Sequence, residues 1–145
     1  MSQAAVVERS PTLDEFKMLR HSVGWNNIGD RFITEALEHG LYAVCIESNG
    51  RCVGCGRVVG DGGLYFYIQD VIVLPEYQEH GYGHLIMDRI FKFLELNAPV
   101  GSHVALFAAK GVEPMYQKYG FIERPTEDLG AGMFQVWKAP NDEAA

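Results

Sequence analysis

A run of clustered lysine and arginine is missing from this chain, and the absence is informative. Twelve basic residues are scattered among 19 acidic ones over 145 positions, for a formal net charge of -7. Neutralising nucleic-acid phosphates needs a basic surface, so nucleic acid is excluded as a general partner. Also missing is any apolar run near the roughly 20 residues that span a bilayer. The first ten residues, MSQAAVVERS, lack the charged start and long apolar centre of a secretory signal. A cytoplasmic protein without a membrane partner is expected. Cysteine is scarce: Cys45, Cys52 and Cys55 are too few and too odd in number for a disulfide framework. The "CVGC" stretch has no second cysteine pair or histidine pair to complete a zinc site, and no metal is expected. In a strand, alternation would send Cys52 and Cys55 to opposite faces. No internal repeat, low-complexity tract or linker divides the chain, so one domain over 1–145 is expected.

What is present begins with a capping box, Thr12 with Glu15, ahead of a helix to about His21. "AAVVERS" before it reads as a short strand. After the interruption "VGWNNIGD", Ile28, Phe32, Ile33, Ala36 and Leu37 share one face of a second helix that stops at Gly40. The period then changes. "LYAVCIE" and "CVGCGRVV" read as a hairpin with a two-residue turn at Asn49-Gly50, and "DGG" turns the chain into "LYFYIQDVIVL". That last strand is nearly continuous in apolar residues, which suggests burial on both faces and a central place in the sheet. From Gly81 the period is helical again, with Leu85, Ile86, Ile90, Phe93 and Leu94 on one face. "HVALFAA" is a strand, and "VEPMYQKYG" a short helix with Pro114 in its first turn and Gly120 as its left-handed stop. "GFIE" and "MFQVWK" supply one or two last strands, and the tail from Ala139 is expected to fray.

"YQEHGYGHL", Tyr77 to Leu85, stands where a buried strand gives way to a helix. The first amides of a helix lack partners and carry partial positive charge, so such a turn can hold a pyrophosphate. Gly81 and Gly83 would allow positive φ and a close approach of backbone to phosphate. Alone the signal is weak: a third glycine is missing, and no Gly-Lys-Ser/Thr follows, which makes a nucleoside-triphosphate binder remote.

Gln78, Gly81 and Gly83 spell Gln-x-x-Gly-x-Gly after Val71, Ile72 and Val73, and about thirty residues on Tyr116, Gly120 and Phe121 spell Tyr-x-x-x-Gly-Phe. The pair of motifs resembles the GNAT superfamily of acyl-CoA-dependent N-acetyltransferases, and the order of elements along nearly the whole chain resembles it too. The resemblance implies an α+β fold, a mixed and mostly antiparallel sheet of about six to seven strands, with helices on both faces and a splayed central strand. It implies acetyl-CoA as co-substrate. The backbone of Val71, Ile72 and Val73 would hold the pantetheine arm, and the amides of Glu79, His80, Gly81, Tyr82, Gly83 and His84 the pyrophosphate, with Gln78 at the edge. It places Tyr116 beside the thioester, where a phenol with an ordinary pKa near 10 stays protonated at neutral pH and can protonate the leaving sulfur.

The sequence also departs from that pattern. Gln69 stands where several members carry a carboxylate, Tyr67 where some relatives carry a glutamate, and Ala109 where many carry an asparagine. Asp70 is then the candidate general base, with a water chain as its equal. By the same resemblance the link between the first two helices and the last strands shape the acceptor pocket, giving Trp25, Asn26, Asn27, Phe32 and Tyr67 as candidates. Each could equally serve the core. The expected function is transfer of acetyl to a primary amine of a small molecule or peptide by direct attack in a ternary complex. The alternative is a non-catalytic coenzyme A sensor on the same fold. A homodimer is compatible with the resemblance.

Overall fold

The computed structural model describes residues 4–138, so the tail from Ala139 lies outside the described residues. The chain forms two compact units, one ending at Phe107 and one beginning at Ala108.

The first unit opens with β1 (Ala5–Val7) and α1 (Leu13–Ser22). α1 starts where local chemistry dictates: Thr12 accepts from the Glu15 amide at 3.2 Å while Glu15 accepts from the Thr12 amide at 2.9 Å. Arg9 donates to the same carboxylate at 2.9 Å and, with the bonds from Thr12 and Cys52, lowers the Glu15 pKa to about 2. α2 (Asp30–Glu38) follows, ending before Gly40, and of its expected apolar face only Ile33 is buried; Ile28 and Phe32 stand exposed. β2 (Tyr42–Ser48) and β3 (Arg51–Gly60) form the hairpin, closed by Asn49 and Gly50 with φ of 53° and 79°, the left-handed pair a two-residue turn needs. Asp61 then accepts three amides, from Gly63, Leu64 and Tyr65, and turns the chain into β4 (Tyr65–Val73). α3 (Tyr82–Asn97) and the short β5 (His103–Ala105) complete the unit.

The sheet has five strands in the order β1-β2-β3-β4-β5, where six to seven were expected. All pairs are antiparallel except β4 with β5. β3 therefore occupies the middle, and β4 is flanked on both sides only over its first residues. The missing strands are those expected in 121–138, which have no strand assignment.

Two irregularities set which side chain faces which helix. Between Ile46 and Glu47 the register shifts, so Cys55 lies opposite Cys45 and Cys52 opposite Glu47. Cross-strand partners share a face, so Cys52 and Cys55 point the same way, against the expected alternation; Val53 is the extra residue of the bulge. All three cysteines are free and buried. The second shift lies between Cys55 and Arg57 on β3, opposite Asp70 and Val71 on β4. There Asp70 takes φ of 56°, a conformation that aspartate tolerates better than most residues.

Gly56 and Arg57, neighbours on β3, point to opposite faces. On the Gly56 side α3 lies so close that a Cβ would stand 2.4 Å from Ile86 Cγ2. Ile86, Met87, Ile90 and Leu94 are buried on α3, whereas Leu85, expected among them, is 42% exposed. On the Arg57 side lies α1, with Phe16 under the guanidinium at 5.6 Å. Helices thus cover both faces.

The second unit contains α4 (Glu113–Gln117), with Pro114 in its first turn as expected. Gly120 adopts φ of 91°, the left-handed stop.

Candidate functional site

β4 is where backbone becomes available. It pairs with β5 only through Tyr65, Phe66 and Tyr67, while its other edge stays on β3 as far as Val73. Among the described residues no strand pairs with the β5-side edge of Ile68 to Val73. Val71, Ile72 and Val73 lie on this stretch. Side chains from it still serve the core: Ile72 is buried, and Val71 Cγ2 lies 3.7 Å from the Cβ position of Gly56.

The turn that follows is built in three steps. Pro75–Tyr77 makes one 3-10 turn, and Gln78 folds its side-chain amide back onto the Val73 carbonyl at 2.9 Å, tying the turn to the strand end. Glu79 (φ 66°) and Gly81 (φ 81°) both adopt left-handed conformations, and Gly81 caps α3. The first α-helical bond runs from the Leu85 amide to the Gly81 carbonyl at 3.1 Å, so the amides before it point out of the end of the helix. Gly83 already lies within the helix and, unlike Gly81, does not need positive φ. A Cβ built on Gly81 meets nothing within 4 Å: the turn opens onto free space. His80 and Tyr82 bring their rings together there, with centroids 6.0 Å apart.

Asp70 is 3% exposed and committed on both oxygens. Arg20 donates to Oδ1 at 2.7 Å and Arg57 to Oδ2 at 3.0 Å. Arg57, itself buried, also donates to the Ala36 carbonyl at 2.9 Å and so ties α2 to the sheet. The Asp70 carbonyl accepts the Cys55 thiol at 3.2 Å, and burial pushes the pKa of that thiol up. Sequence reasoning identified Asp70 but missed both arginines. Their partners lie 50 and 13 residues away, and no local signal announces them.

Arg20 reaches the expected acceptor residues as well. Its Nε donates to Asn27 Oδ1 at 3.0 Å and its second terminal nitrogen to the Asn26 carbonyl at 2.9 Å. Its guanidinium lies 5.4 Å from the Trp25 ring centroid. Trp25, Asn26 and Asn27 are thus gathered around one side chain. Phe32 is 52% exposed and sits under Arg31 instead. Tyr67 meets Phe107 edge-on at 5.6 Å, and burial raises its pKa.

In the second unit Tyr116 is 9% exposed and sits edge-on to Phe121 at 6.3 Å. Burial raises its pKa above the ordinary phenol value, which keeps the hydroxyl protonated. Tyr119 donates its amide to the Tyr116 carbonyl at 2.9 Å, closing the turn before Gly120.

A cavity of about 310 Å³ opens elsewhere, bordered by Glu8, Arg9, Tyr42 and Arg57 among others; apart from Arg57 it shares no residue with these groups. Among the described residues no three or more His, Cys, Asp or Glu side chains gather to hold a metal ion, and no helix is long and apolar enough to cross a membrane.

A family model described as an acetyltransferase (GNAT) domain matches residues 38–123. The N-acetyltransferase ycf52 of Porphyra purpurea, itself uncharacterised, is 33% identical over 126 residues, covering 84% of this chain and 70% of that protein. A chloroplastic GCN5-related N-acetyltransferase of Arabidopsis thaliana is 30% identical over 131 residues, covering 89% of this chain and 64% of its own. Among solved structures, a probable acetyltransferase from Staphylococcus aureus superposes with a TM-score of 0.84 at 32% identity, covering 93% of this chain and all of that one. At 15% identity, which speaks for the fold alone, N-acetylglutamate synthase from Neisseria gonorrhoeae, in complex with coenzyme A and L-arginine, superposes with a TM-score of 0.64, covering 85% of this chain and 28% of that one.

Proposed function

The chain belongs to the GNAT family of acetyltransferases, and from that premise we propose that it moves acetyl from acetyl-CoA to the primary amine of a small molecule or peptide. The observation that carries this reading is the continuity of two features in one segment. The β4 edge that has no strand partner among the described residues, from Ile68 to Val73, runs through the Gln78-tied turn into a helix end capped by left-handed Gly81. An extended pantetheine arm can add to a strand edge as a further strand would, and outward-pointing amides suit a pyrophosphate. A Cβ on Gly81 would meet nothing within 4 Å, so the backbone there is open to a ligand. We assign Val71, Ile72 and Val73 to the arm and the backbone of Glu79 to His84 to the diphosphate, with Gln78 fixing the turn.

Acetyl-CoA supplies an activated acyl group. The neutral amine nitrogen bonds to the acyl carbon, the carbon–sulfur bond breaks and the Tyr116 phenol gives its proton to the departing sulfur, while the proton shed by the nitrogen leaves through water, from which the phenolate is reprotonated. Burial raises its pKa, so the phenol carries its proton at neutral pH. Asp70, the base expected from sequence, is better suited to holding position: it is buried, and each of its oxygens already accepts a guanidinium. Trp25, Asn27, Phe32 and Tyr67 remain our candidates for the acceptor side.

Thiol release from acetyl-CoA with a panel of polyamines, arylalkylamines, amino sugars and peptides tests the proposal. Release above background with any amine, with Tyr116→Phe keeping coenzyme affinity and losing turnover, is the expected result. A thermal shift with coenzyme A but silence across the panel would favour the non-catalytic sensor. Unchanged turnover in Tyr116→Phe would remove that residue from the acid role.

A further inference from the structure

Arg20 distributes its guanidinium over an unusual set of partners. One terminal nitrogen is on Asp70 at 2.7 Å, the other on the Asn26 carbonyl at 2.9 Å, and Nε on Asn27 Oδ1 at 3.0 Å. Its guanidinium carbon also lies over two aromatic rings, 5.6 Å from the Phe16 centroid and 5.4 Å from the Trp25 centroid. Its own carbonyl accepts the Trp25 amide at 2.9 Å. Residues 24–29 have no regular secondary structure and are exposed throughout, with Gly24 at φ of 80° at the start and Gly29 at the end. Such a segment orders itself only if something outside it holds it. Arg20 does so, and its anchor is the β4 bulge, where Asp70 is locked from the other side by Arg57.

We propose that Arg20 is the positioning residue that fixes the 24–29 loop to the β4 bulge, so that recognition of the acceptor amine depends on it while binding of the coenzyme does not. This deepens the acetyl-transfer reading and rests on it for the identity of the ligand. The shape of the side chain carries the argument. A planar fork can donate in three directions and stack at once, whereas an ammonium is a point charge. Lysine at this position can keep the pair with Asp70 but not, at the same time, the two asparagine contacts.

Arg20→Lys is therefore the informative variant, because it retains the charge opposite Asp70 and with it the fold. The chain has two tryptophans, so a Trp137→Phe background leaves Trp25 as the single fluorophore. In that background Arg20→Lys should raise the acrylamide quenching constant of Trp25 about twofold as the loop is released. With whichever amine the panel identifies, the acceptor KM should rise about tenfold while the coenzyme A Kd stays within about twofold. The melting temperature should stay near that of the parent. Unchanged quenching and unchanged acceptor KM would overturn the proposal. So would parallel loss of acceptor binding, coenzyme binding and melting temperature, which is what a purely structural arginine gives. If the parent is silent with every amine, the functional reading fails instead, and the quenching arm alone decides whether Arg20 holds the loop.

Discussion

The two faces of the sheet solve the same packing problem with opposite chemistry. Against α3 the sheet offers Gly56, and aliphatic side chains close the space. Against α1 it offers Arg57, and the space is closed by two guanidiniums around one carboxylate. Apolar packing is non-directional and tolerates a sliding helix more readily than a fork of hydrogen bonds does. A buried ion pair, by contrast, adds little net stability but fails badly when one partner is lost. The comparison assigns the α3 face to holding the fold together and the α1 face to fixing the position of β4 and the loop beside it.

The sharpest way to break that division is Asp70→Ala. It leaves Arg57 buried and Arg20 half-buried without their counterion, and denaturant unfolding should show a loss of about 3–5 kcal/mol. Next comes Gly56→Val, which drives a side chain into Ile86. It should cost about 1–3 kcal/mol, read from the midpoint of the same curves, with the Arg20–Asp70–Arg57 contacts intact. Glu15 gives a smaller effect with a defined pH dependence. Its folded pKa is lowered to about 2, first by the hydrogen bond from Arg9. Its contribution is therefore complete above the ordinary carboxylate value of about 4.3 and is lost as pH falls from there toward 2. Glu15→Gln should lower stability by about 1 kcal/mol at neutral pH after allowance for solvent screening, and flatten the curve in that window. The smallest net change is expected from replacing the triad as a whole. Arg20→Met, Arg57→Met and Asp70→Gly together, glycine keeping the left-handed φ of 56° without strain, should unfold within about 1 kcal/mol of the parent, yet lose the ordered loop. A triple variant as unstable as Asp70→Ala would mean that the charges hold the fold and not only its position.

The parts legible in sequence are those settled by neighbours in the chain. The Thr12–Glu15 box, the Asn49-Gly50 turn, the left-handed Gly81 and the Gly120 stop each depend on a few consecutive residues. Arg20 and Arg57 carry no local signal because their partner, Asp70, is 50 and 13 residues away along the chain. The bulge at Asp70 was hidden for a related reason. Buried and less buried residues alternate along β4 without interruption, through Phe66, Ile68, Asp70 and Ile72. The register with β3 nevertheless shifts there, and parity alone does not reveal a change of face. Strands expected from "GFIE" and "MFQVWK" had the right composition, but a strand exists only with a ladder, and these residues have no strand assignment. Val136 and Trp137, in the stretch whose composition suggests a last strand, are 80% and 78% exposed.

Calorimetric titration with coenzyme A is the most direct test of the central claim, that the β4 edge and the Gly81 turn form a coenzyme site. The parent should give saturable heat. Gly81→Val, whose side chain occupies the open space and strains a left-handed residue, should give none while its far-ultraviolet circular dichroism remains that of the parent. Equal heats from the two proteins, or no heat from the parent, would contradict the account.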